Sequence, residues 1–167
     1  MQLVRTLDGA RLSGTIRETE AYVGEKDLGC HARAGKTPRT AVMYGRAGIA
    51  YVYFTYGMHW LLNAVTEAEG FPAAVLIRAI EPSEGTEVIR ARRQGRGLNG
   101  PGKVTQGMGV DGGLNRADLT SPASGLWIEA GEPVHDSRVT IGARVGLYSV
   151  PEPWKSIPWR FRIENQE

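Results

Sequence analysis

A glutamate near the end of a predicted strand is the side chain of this sequence best suited by type to acid–base chemistry. Glu20 stands in the run Glu18-Thr19-Glu20-Ala21-Tyr22. Glu18 and Glu20 share one face of a strand, and Thr19 points the other way. A partly buried carboxylate near an arginine can act as a general base and take a proton from water. The alternative is an edge-strand charge that discourages aggregation.

Tyrosines are concentrated in a single stretch of the chain. Four of the six lie between residues 44 and 56, namely Tyr44, Tyr51, Tyr53 and Tyr56. Tyr51 and Tyr53 share a strand face, and Tyr56 precedes a glycine at a predicted hairpin tip. An aromatic ring at an exposed tip is buried only when it inserts into a binding partner. Insertion into a stack of bases is favourable for such a ring. The alternative is the ordinary preference of tyrosine for strands.

Basic residues and glycines between residues 88 and 116 could contact a polyanion. This stretch holds six basic side chains and one acid, a local charge of +5 in a chain of net charge +2. Within it, Asn99-Gly100-Pro101-Gly102-Lys103 precedes a predicted helix, whose N-terminal amide groups can bind a phosphate. The spacing is not that of a Walker A loop. The alternative for the basic stretch is a solvated loop and helix face.

The remaining composition excludes several classes of protein. A chain of 167 residues with 41% hydrophobic and 23% charged residues is typical of one globular domain. We expect no membrane helix and no secretory leader. Cys30 is the single cysteine, so no internal disulfide can form, and Cys30-His31 lacks the spacing of a metal site. We therefore expect neither a metal nor a cofactor.

Strands in hairpins, with a few helices between them, predict an α+β domain with a mainly antiparallel, curved sheet, surrounding helices and a protruding hairpin. Glycines and the alternation of apolar residues set the predicted bounds. The predicted strands are 3–7, 11–22, two within 49–66 that meet at 55–57, 73–80, 126–129, 139–145 and 159–163. The predicted helices are one that Thr37 caps before 39–44, one over 83–93 and one over 102–108.

Together, several short motifs resemble the alkyladenine (3-methyladenine or methylpurine) DNA glycosylase family. They occur in the family's order over about residues 11 to 163. The matching motifs are Glu18-Thr19-Glu20-Ala21-Tyr22, Cys30-His31-Ala32-Arg33, Thr37-Pro38-Arg39, Tyr51-Val52-Tyr53, Tyr56-Gly57-Met58, Asn63, Leu76-Ile77-Arg78-Ala79-Ile80-Glu81-Pro82, Gly100-Pro101-Gly102-Lys103 and Ala143-Arg144-Val145-Gly146.

The resemblance implies a catalytic centre and a base pocket. Glu20 matches the family's general base, and Arg78 and the main-chain carbonyl of Val145 match groups that help it to hold the attacking water. The rings that match those enclosing a flipped base are Tyr22, His31 and Tyr53. Asn63 matches a residue that crowds an exocyclic 2-amino group and so rejects normal guanine.

The resemblance also implies a DNA partner, double-stranded and containing a damaged purine. Tyr56 matches the wedge that fills the gap in the duplex, with Met58 beside it. The positions that match phosphate contacts are Thr37, Arg39, Gly102 and Lys103. The implied reaction is hydrolysis of the N-glycosidic bond of N3-methyladenine, N7-methylguanine, hypoxanthine or ethenoadenine. Water is the nucleophile, and the enzyme is expected to be a monomer.

Other readings stay open at this point. The chain could be a non-catalytic damaged-DNA-binding domain of the same fold, or a small-molecule enzyme such as a formyl- or nucleoside-processing one. We treat residues 1–167 as one glycosylase-like domain, in which the family's N-terminal helix is expected to be missing. A repair role implies that the protein lies in the cytoplasm, associated with the nucleoid, if its source is a bacterium. It implies the nucleus if the source is a eukaryote.

Overall fold

An eight-stranded antiparallel sheet frames residues 1–164, the part of the chain that the computed structural model describes. The strands are β1 (Gln2–Leu7), β2 (Ala10–Val23), β3 (Ala50–Thr55), β4 (His59–Val65), β5 (Ala73–Glu84), β6 (Leu126–Glu129), β7 (Val139–Gly142) and β8 (Arg160–Ile163). Two α-helices lie between them in the chain, α1 (Thr86–Arg92) and α2 (Pro101–Met108). The short 3₁₀ turns are His31–Ala34, Ala41–Tyr44, Gly112–Leu114, Pro122–Ser124 and Asp136–Arg138. The predicted α+β class is confirmed.

Strand β2 is the central element, and it carries Glu20. The strand order is β3-β4-β5-β2-β1-β6, and β8 pairs with both β2 and β7. β5 runs along one edge of β2, while β1 and then β8 share the other edge. Register shifts between Ile16 and Thr19 show β-bulges, which bend a strand and re-aim its side chains. The side chains along β2 therefore do not alternate strictly between its two faces.

The two faces of the sheet differ in what covers them. Val52 of β3 packs into the main core, which includes residues of α1 and α2. Its neighbour Tyr51 faces the other way, into a smaller cluster with Cys30 and Met43. The helices thus cover one face, and the loops that follow β2 cover the other. The candidate site lies at an opening on that second face.

The hairpin of β3 and β4 turns at Tyr56 and Gly57, as the sequence predicts. Both residues have positive φ, 52° and 67°, which is the backbone of a type I′ turn. Tyrosine rarely adopts that conformation, because its Cβ crowds the backbone there. The turn therefore holds Tyr56 in a strained conformation at an exposed tip, a feature that is found at functional sites.

The helix predicted over 83–93 begins later than expected. Pro82 and Glu84 continue β5, paired with Gly14 and Ser13 of β2. β4 pairs with β5 at residues 74–76, so Pro82 lies beyond that pairing, where the missing N–H is tolerated. Helix α1 then starts after Gly85, which has φ 61°.

Two further predicted bounds are wrong. Thr37 does accept a hydrogen bond from the N–H of Thr40 at 3.2 Å, but the helical turn that follows is the 3₁₀ turn Ala41–Tyr44. The strand predicted over 139–145 stops at Gly142. Residues after Gly142 leave the sheet and approach β2, which brings Val145 to Glu20. None of the helices within residues 1–164 is long and apolar enough to cross a membrane.

Candidate active site

Glu20 is fully buried in β2, and three donors surround its carboxylate. The Tyr22 hydroxyl donates to Oε2 at 2.9 Å, and Nη1 of Arg78 donates to the same oxygen at 3.3 Å. The backbone N–H of Val145 donates to Oε1 at 2.6 Å. A side chain with 0% exposure cannot act as a solvated edge-strand charge, so that alternative is wrong. These donors supply the hydrogen bonds that a buried carboxylate requires.

Val145 contacts Glu20 through its backbone N–H, which donates to the carboxylate. The role that the resemblance implies for its carbonyl, to help hold the attacking water, stays a prediction. Val145 also lines the cavity described next.

A cavity of about 380 Å³ is lined by the hydrogen-bond partners of Glu20, and Glu20 itself lies behind that lining. Its wall includes the three partners of Glu20, namely Tyr22, Arg78 and Val145. It also includes His31 and Tyr53, which together with Tyr22 are the rings assigned to a base pocket. The His31 ring packs edge-on against Tyr53, with centroids 4.6 Å apart. Tyr51, to which we assigned no role, completes the wall, and its hydroxyl lies 3.0 Å from Nδ1 of His31. The volume and the apolar walls are those of a small-molecule or nucleobase pocket.

The protonation states of His31 and Tyr22, two rings of the cavity wall, follow from burial. Burial, helped by Arg39 and Arg33, lowers the pKa of His31 from 6.5 to about 4. Burial and the adjacent Glu20 raise the pKa of Tyr22 above its usual value. At pH 7, therefore, His31 is a neutral ring and Tyr22 is a protonated donor to Glu20.

Asn63 of β4 lies in the same wall with 4% exposure. Its Nδ2 donates to the carbonyl of Tyr51 at 3.0 Å, so the amide is held to β3 in a fixed orientation. A fixed polar group in a small pocket discriminates among ligands by shape.

The hairpin tip stands beside the mouth of the cavity. Tyr56 lines that cavity, although its side chain is 86% exposed. Met58 on the other side of the turn is also exposed. The structure thus places an apolar pair at the tip, where each side chain can enter a partner.

The four predicted phosphate contacts lie on either side of this hairpin. The guanidinium of Arg39 lies over the Tyr53 ring at 5.2 Å, and Thr37 precedes it in the same loop. Gly102 lies against His59, the first residue of β4 after the turn, and a Cβ at Gly102 would come within 3.0 Å of the His59 ring. The exposed Lys103 donates to Asn99 at 2.9 Å.

A buried ion pair behind the cavity escaped the sequence analysis. Arg144 donates two hydrogen bonds to Asp27, at 2.6 and 2.8 Å, and neither side chain is exposed. Its guanidinium also lies over the Tyr22 ring at 4.7 Å and donates to the carbonyl of Ala21. Arg144 therefore fixes both the ring that contacts Glu20 and the backbone that leads to Val145.

Sequence reasoning noted the motif around Arg144 but assigned it no role, and it passed over Asp27. The two residues are 117 positions apart, so no local pattern connects them. The acid's position in a polar loop between β2 and His31 was the available signal. Within residues 1–164, no group of three or more histidine, cysteine, aspartate or glutamate side chains could hold a metal ion.

Comparison with known proteins gives one consistent answer. The model of the methylpurine-DNA glycosylase family matches residues 1–167. A protein of Carboxydothermus hydrogenoformans is 46% identical over 99% of this chain and 85% of its own length. One of Myxococcus xanthus is 44% identical over 95% of this chain and 77% of its own, and one of Methanocella arvoryzae is 45% identical over 98% and 82%. Each bears the name "Putative 3-methyladenine DNA glycosylase".

Proposed function

The chain belongs to the methylpurine-DNA glycosylase family, and from that premise we propose that it is a monofunctional base-excision-repair enzyme. It hydrolyses the N-glycosidic bond of alkylated or deaminated purines that have been flipped out of duplex DNA. The observation that carries this proposal is the buried Glu20, which is hydrogen-bonded to Tyr22, Arg78 and Val145, three residues that line an aromatic cavity. A DNA substrate places the activity with the chromosome, which in a bacterium is the nucleoid.

Glu20 has the acceptor capacity that a general base needs. A carboxylate has about four acceptor positions, and within the described residues the three donors leave one of them, on Oε1. A water bound there gives its proton to Glu20, and its oxygen forms a bond to the sugar C1′. The C1′–N bond breaks, and its electron pair leaves with the purine: the pair neutralises a cationic alkylated base, whereas a neutral deaminated base also takes up a proton from solvent water. The carboxylate charge also opposes the positive charge that develops on the sugar.

The rings select the base. A purine in duplex DNA cannot be reached until it leaves the stack, so it must enter a pocket of this kind. A purine in the cavity can stack on, or pack edge-to-face against, the rings of Tyr22, Tyr53 and His31. Because His31 is neutral at pH 7, it does not repel a positively charged alkylated purine. Cation–π attraction to the tyrosines adds to stacking for such a base.

Asn63 and the surface residues complete the proposal. The fixed amide of Asn63 crowds an exocyclic 2-amino group and so disfavours normal guanine. Tyr56 fills the gap that the flipped base leaves, with Met58 beside it. Thr37, Arg39, Gly102 and Lys103 contact phosphates on the two sides of the hairpin, and such contacts fix the register of the protein on DNA. The enzyme acts as a monomer.

The direct test is release of a purine from damaged DNA. We expect the protein, in EDTA, to release the free modified base from a methylated or hypoxanthine-containing duplex, and the strand to break only after alkali. Chromatography of the free base and electrophoresis of the strand measure the two steps. Binding without release would instead indicate the non-catalytic domain, and strand breakage without alkali would indicate an amine nucleophile.

Replacing the ring at the hairpin tip should weaken lesion binding. We expect Tyr56→Asn to lower the affinity for a lesion duplex by about 10- to 100-fold, since base–aromatic stacking contributes about 1–3 kcal/mol. Asparagine tolerates positive φ, so the turn is kept. Fluorescence anisotropy measures the affinity, and Ile141→Asn, which removes an exposed apolar side chain of β7, is the matched control. Equal affinity of Tyr56→Asn and the wild type would remove the wedge assignment.

Salt should weaken DNA binding in proportion to the number of phosphate contacts. The affinity falls on a log–log plot with a slope of about −0.9 for each phosphate neutralised, so we expect Lys103→Ala to make the slope less negative by about one. Lys155→Ala, an exposed lysine outside the assigned contacts, should leave the slope unchanged. An unchanged slope for Lys103→Ala would exclude Lys103 from the phosphate contacts, and a flat wild-type curve would argue against a DNA substrate.

A further inference from the structure

A second carboxylate lies between two arginines next to Glu20. Oε1 of Glu18 accepts a hydrogen bond from Nε of Arg78 at 2.7 Å and another from Nε of Arg160 at 2.8 Å. The side chains of Glu18 and Arg78 are each 14% exposed, so salt screens this pair weakly. Burial alone would raise the pKa of Glu18, but the hydrogen bonds from Arg160 and Arg78 outweigh it and hold that pKa below its usual value.

Arg78 is shared unequally between the two acids. Its Nε is 2.7 Å from Glu18, whereas its Nη1 is 3.3 Å from Oε2 of Glu20. The shorter contact shows that the guanidinium is held mainly by Glu18. Its bond to Glu20 is longer than the 2.7–2.9 Å typical of a charge-assisted hydrogen bond. Removing the Glu18 charge would therefore release Arg78 toward Glu20.

The fold builds this arrangement from three strands. The β-bulges of β2 flank Glu18, and β5 and β8 pair with β2 on opposite sides of it. β5 contributes Arg78 from one side, and β8 contributes Arg160 from the other. A groove lined by all three residues opens on the far side of Arg78 from the base cavity, and Arg78 and Val145 line both openings. Glu18 is thus outside the base pocket and one arginine away from its general base.

We propose that Glu18 is a positioning residue for the reaction: by binding Nε of Arg78, it keeps the guanidinium from closing on Glu20 as a tight ion pair. This proposal rests on the proposed function. A carboxylate in a tight pair with a guanidinium gives up basicity, because the pair favours its ionised form. Glu18 prevents such a pair while leaving one hydrogen bond from Arg78 to orient the carboxylate.

Several other charged and titratable groups face the two acids, and the Glu18→Gln variant leaves all of them unsubstituted. Around Glu20 these groups are Tyr22 of β2, Arg78 of β5, Tyr53 of β3 and, across the Tyr22 ring, Arg144. Around Glu18 they are Arg78 of β5 and Arg160 and Arg162 of β8.

The test replaces Glu18 by glutamine, which keeps the size and an oxygen that can accept from Arg78. We expect the acidic limb of the pH profile for single-turnover purine release to move down by about one pH unit. The plateau rate should fall roughly 3- to 10-fold because a weaker base transfers the proton less well. NMR titration of the Glu20 carboxyl carbon in the free protein should show the same downward movement.

The position of Arg78 separates positioning from the loss of a nearby negative charge, which by itself also moves the midpoints down. We expect a crystal structure of Glu18→Gln to show the 3.3 Å contact between Nη1 of Arg78 and Oε2 of Glu20 shortened, whereas an unchanged or longer contact would overturn the positioning role. Arg160→Gln should move both midpoints up, because Glu18 then holds Arg78 alone and one positive charge is lost. This second variant keeps the test available if Glu18→Gln does not fold. Glu84→Gln, which removes a charge paired with Arg11 elsewhere in the sheet, should change neither midpoint.

Purine release and the NMR titration together distinguish failure of the role proposed for Glu18 from failure of the proposed function. Unchanged or upward midpoints in Glu18→Gln, in a wild-type protein that does release purines, would overturn the role of Glu18 alone. If the wild type releases no purine, the proposed function fails, and the role of Glu18 in catalysis fails with it. The NMR titration would then still show whether Glu18 controls the ionisation of Glu20.

Discussion

Replacing Glu20 by glutamine lowers the rate of purine release by about a thousandfold or more, while binding to a lesion duplex stays within a few-fold of the wild type. General-base catalysis contributes about 10² to 10⁴, and preorganised charge at a developing ion contributes about as much again. Glutamine has nearly the same volume but can neither accept a proton from water nor oppose the positive charge on the sugar. Glu20 lies beneath the cavity wall and away from the hairpin, so the DNA contacts remain.

The glutamine must also fit among three donors. The Tyr22 hydroxyl can turn and accept from the new amide, whereas the N–H of Val145 cannot. The thermal midpoint is therefore measured alongside the single-turnover rate, to show that loss of release is not loss of the fold. Glu81→Gln, at an exposed acid of β5, is the control and should release purines at the wild-type rate. Release by Glu20→Gln within tenfold of the wild type would exclude Glu20 as the base.

Replacing Arg144 by methionine destabilises the protein by about 3–5 kcal/mol, because it leaves the buried Asp27 without its cation. The backbone N–H groups of Val23 and Gly29 still donate to Asp27, at 3.2 and 2.9 Å, but neither carries a charge. Urea unfolding at pH 7 measures the loss of stability. The variant should also release purines more slowly than its stability explains, since the backbone leading to Val145 loses its anchor.

Two matched variants separate the ion pair from the volume change. The double variant Asp27→Leu/Arg144→Met removes both charges and should recover most of the stability, because no unpaired charge stays buried. Arg46→Met breaks a pair of the same length, 2.6 Å to Asp118, at the exposed surface and should cost less than about 1 kcal/mol. A loss below 1 kcal/mol for Arg144→Met would contradict the account of a buried, uncompensated aspartate.

The sheet could be predicted from the sequence because the patterns that indicate strands and hairpins are local. Asp8-Gly9 and Tyr56-Gly57 predicted the two hairpins, and both lie where a turn with positive φ requires them. Helix α1 began later than predicted because Ser13 of the partner strand β2, 71 residues away in sequence, holds Glu84 in the sheet. Pro82, which precedes the predicted helix, is tolerated in β5 because it lies beyond the pairing of β5 with β4, and no local rule distinguishes a proline that starts a helix from one at such a position.

Only part of the candidate site could be predicted, because some of its contacts join residues that are far apart in the sequence. The resemblance named Glu20, Arg78 and Val145, and the structure brings them into hydrogen-bond contact. The roles assigned to them stay predictions. The Arg144–Asp27 pair and the sharing of Arg78 by Glu18 depend on contacts between strands and loops that are far apart in sequence. Charged residues look alike in a sequence whether they are solvated or buried, so only the fold could show which ones are buried together.

The central claim is that a purine leaves the duplex and enters the cavity that the partners of Glu20 line. A crystal structure of Glu20→Gln with a hypoxanthine-containing duplex tests it most directly. The account predicts the purine among Tyr22, His31 and Tyr53, its C1′ turned toward residue 20, and the Tyr56 ring in the gap in the duplex. A base still stacked in the helix, with the cavity facing away from the DNA, would contradict it.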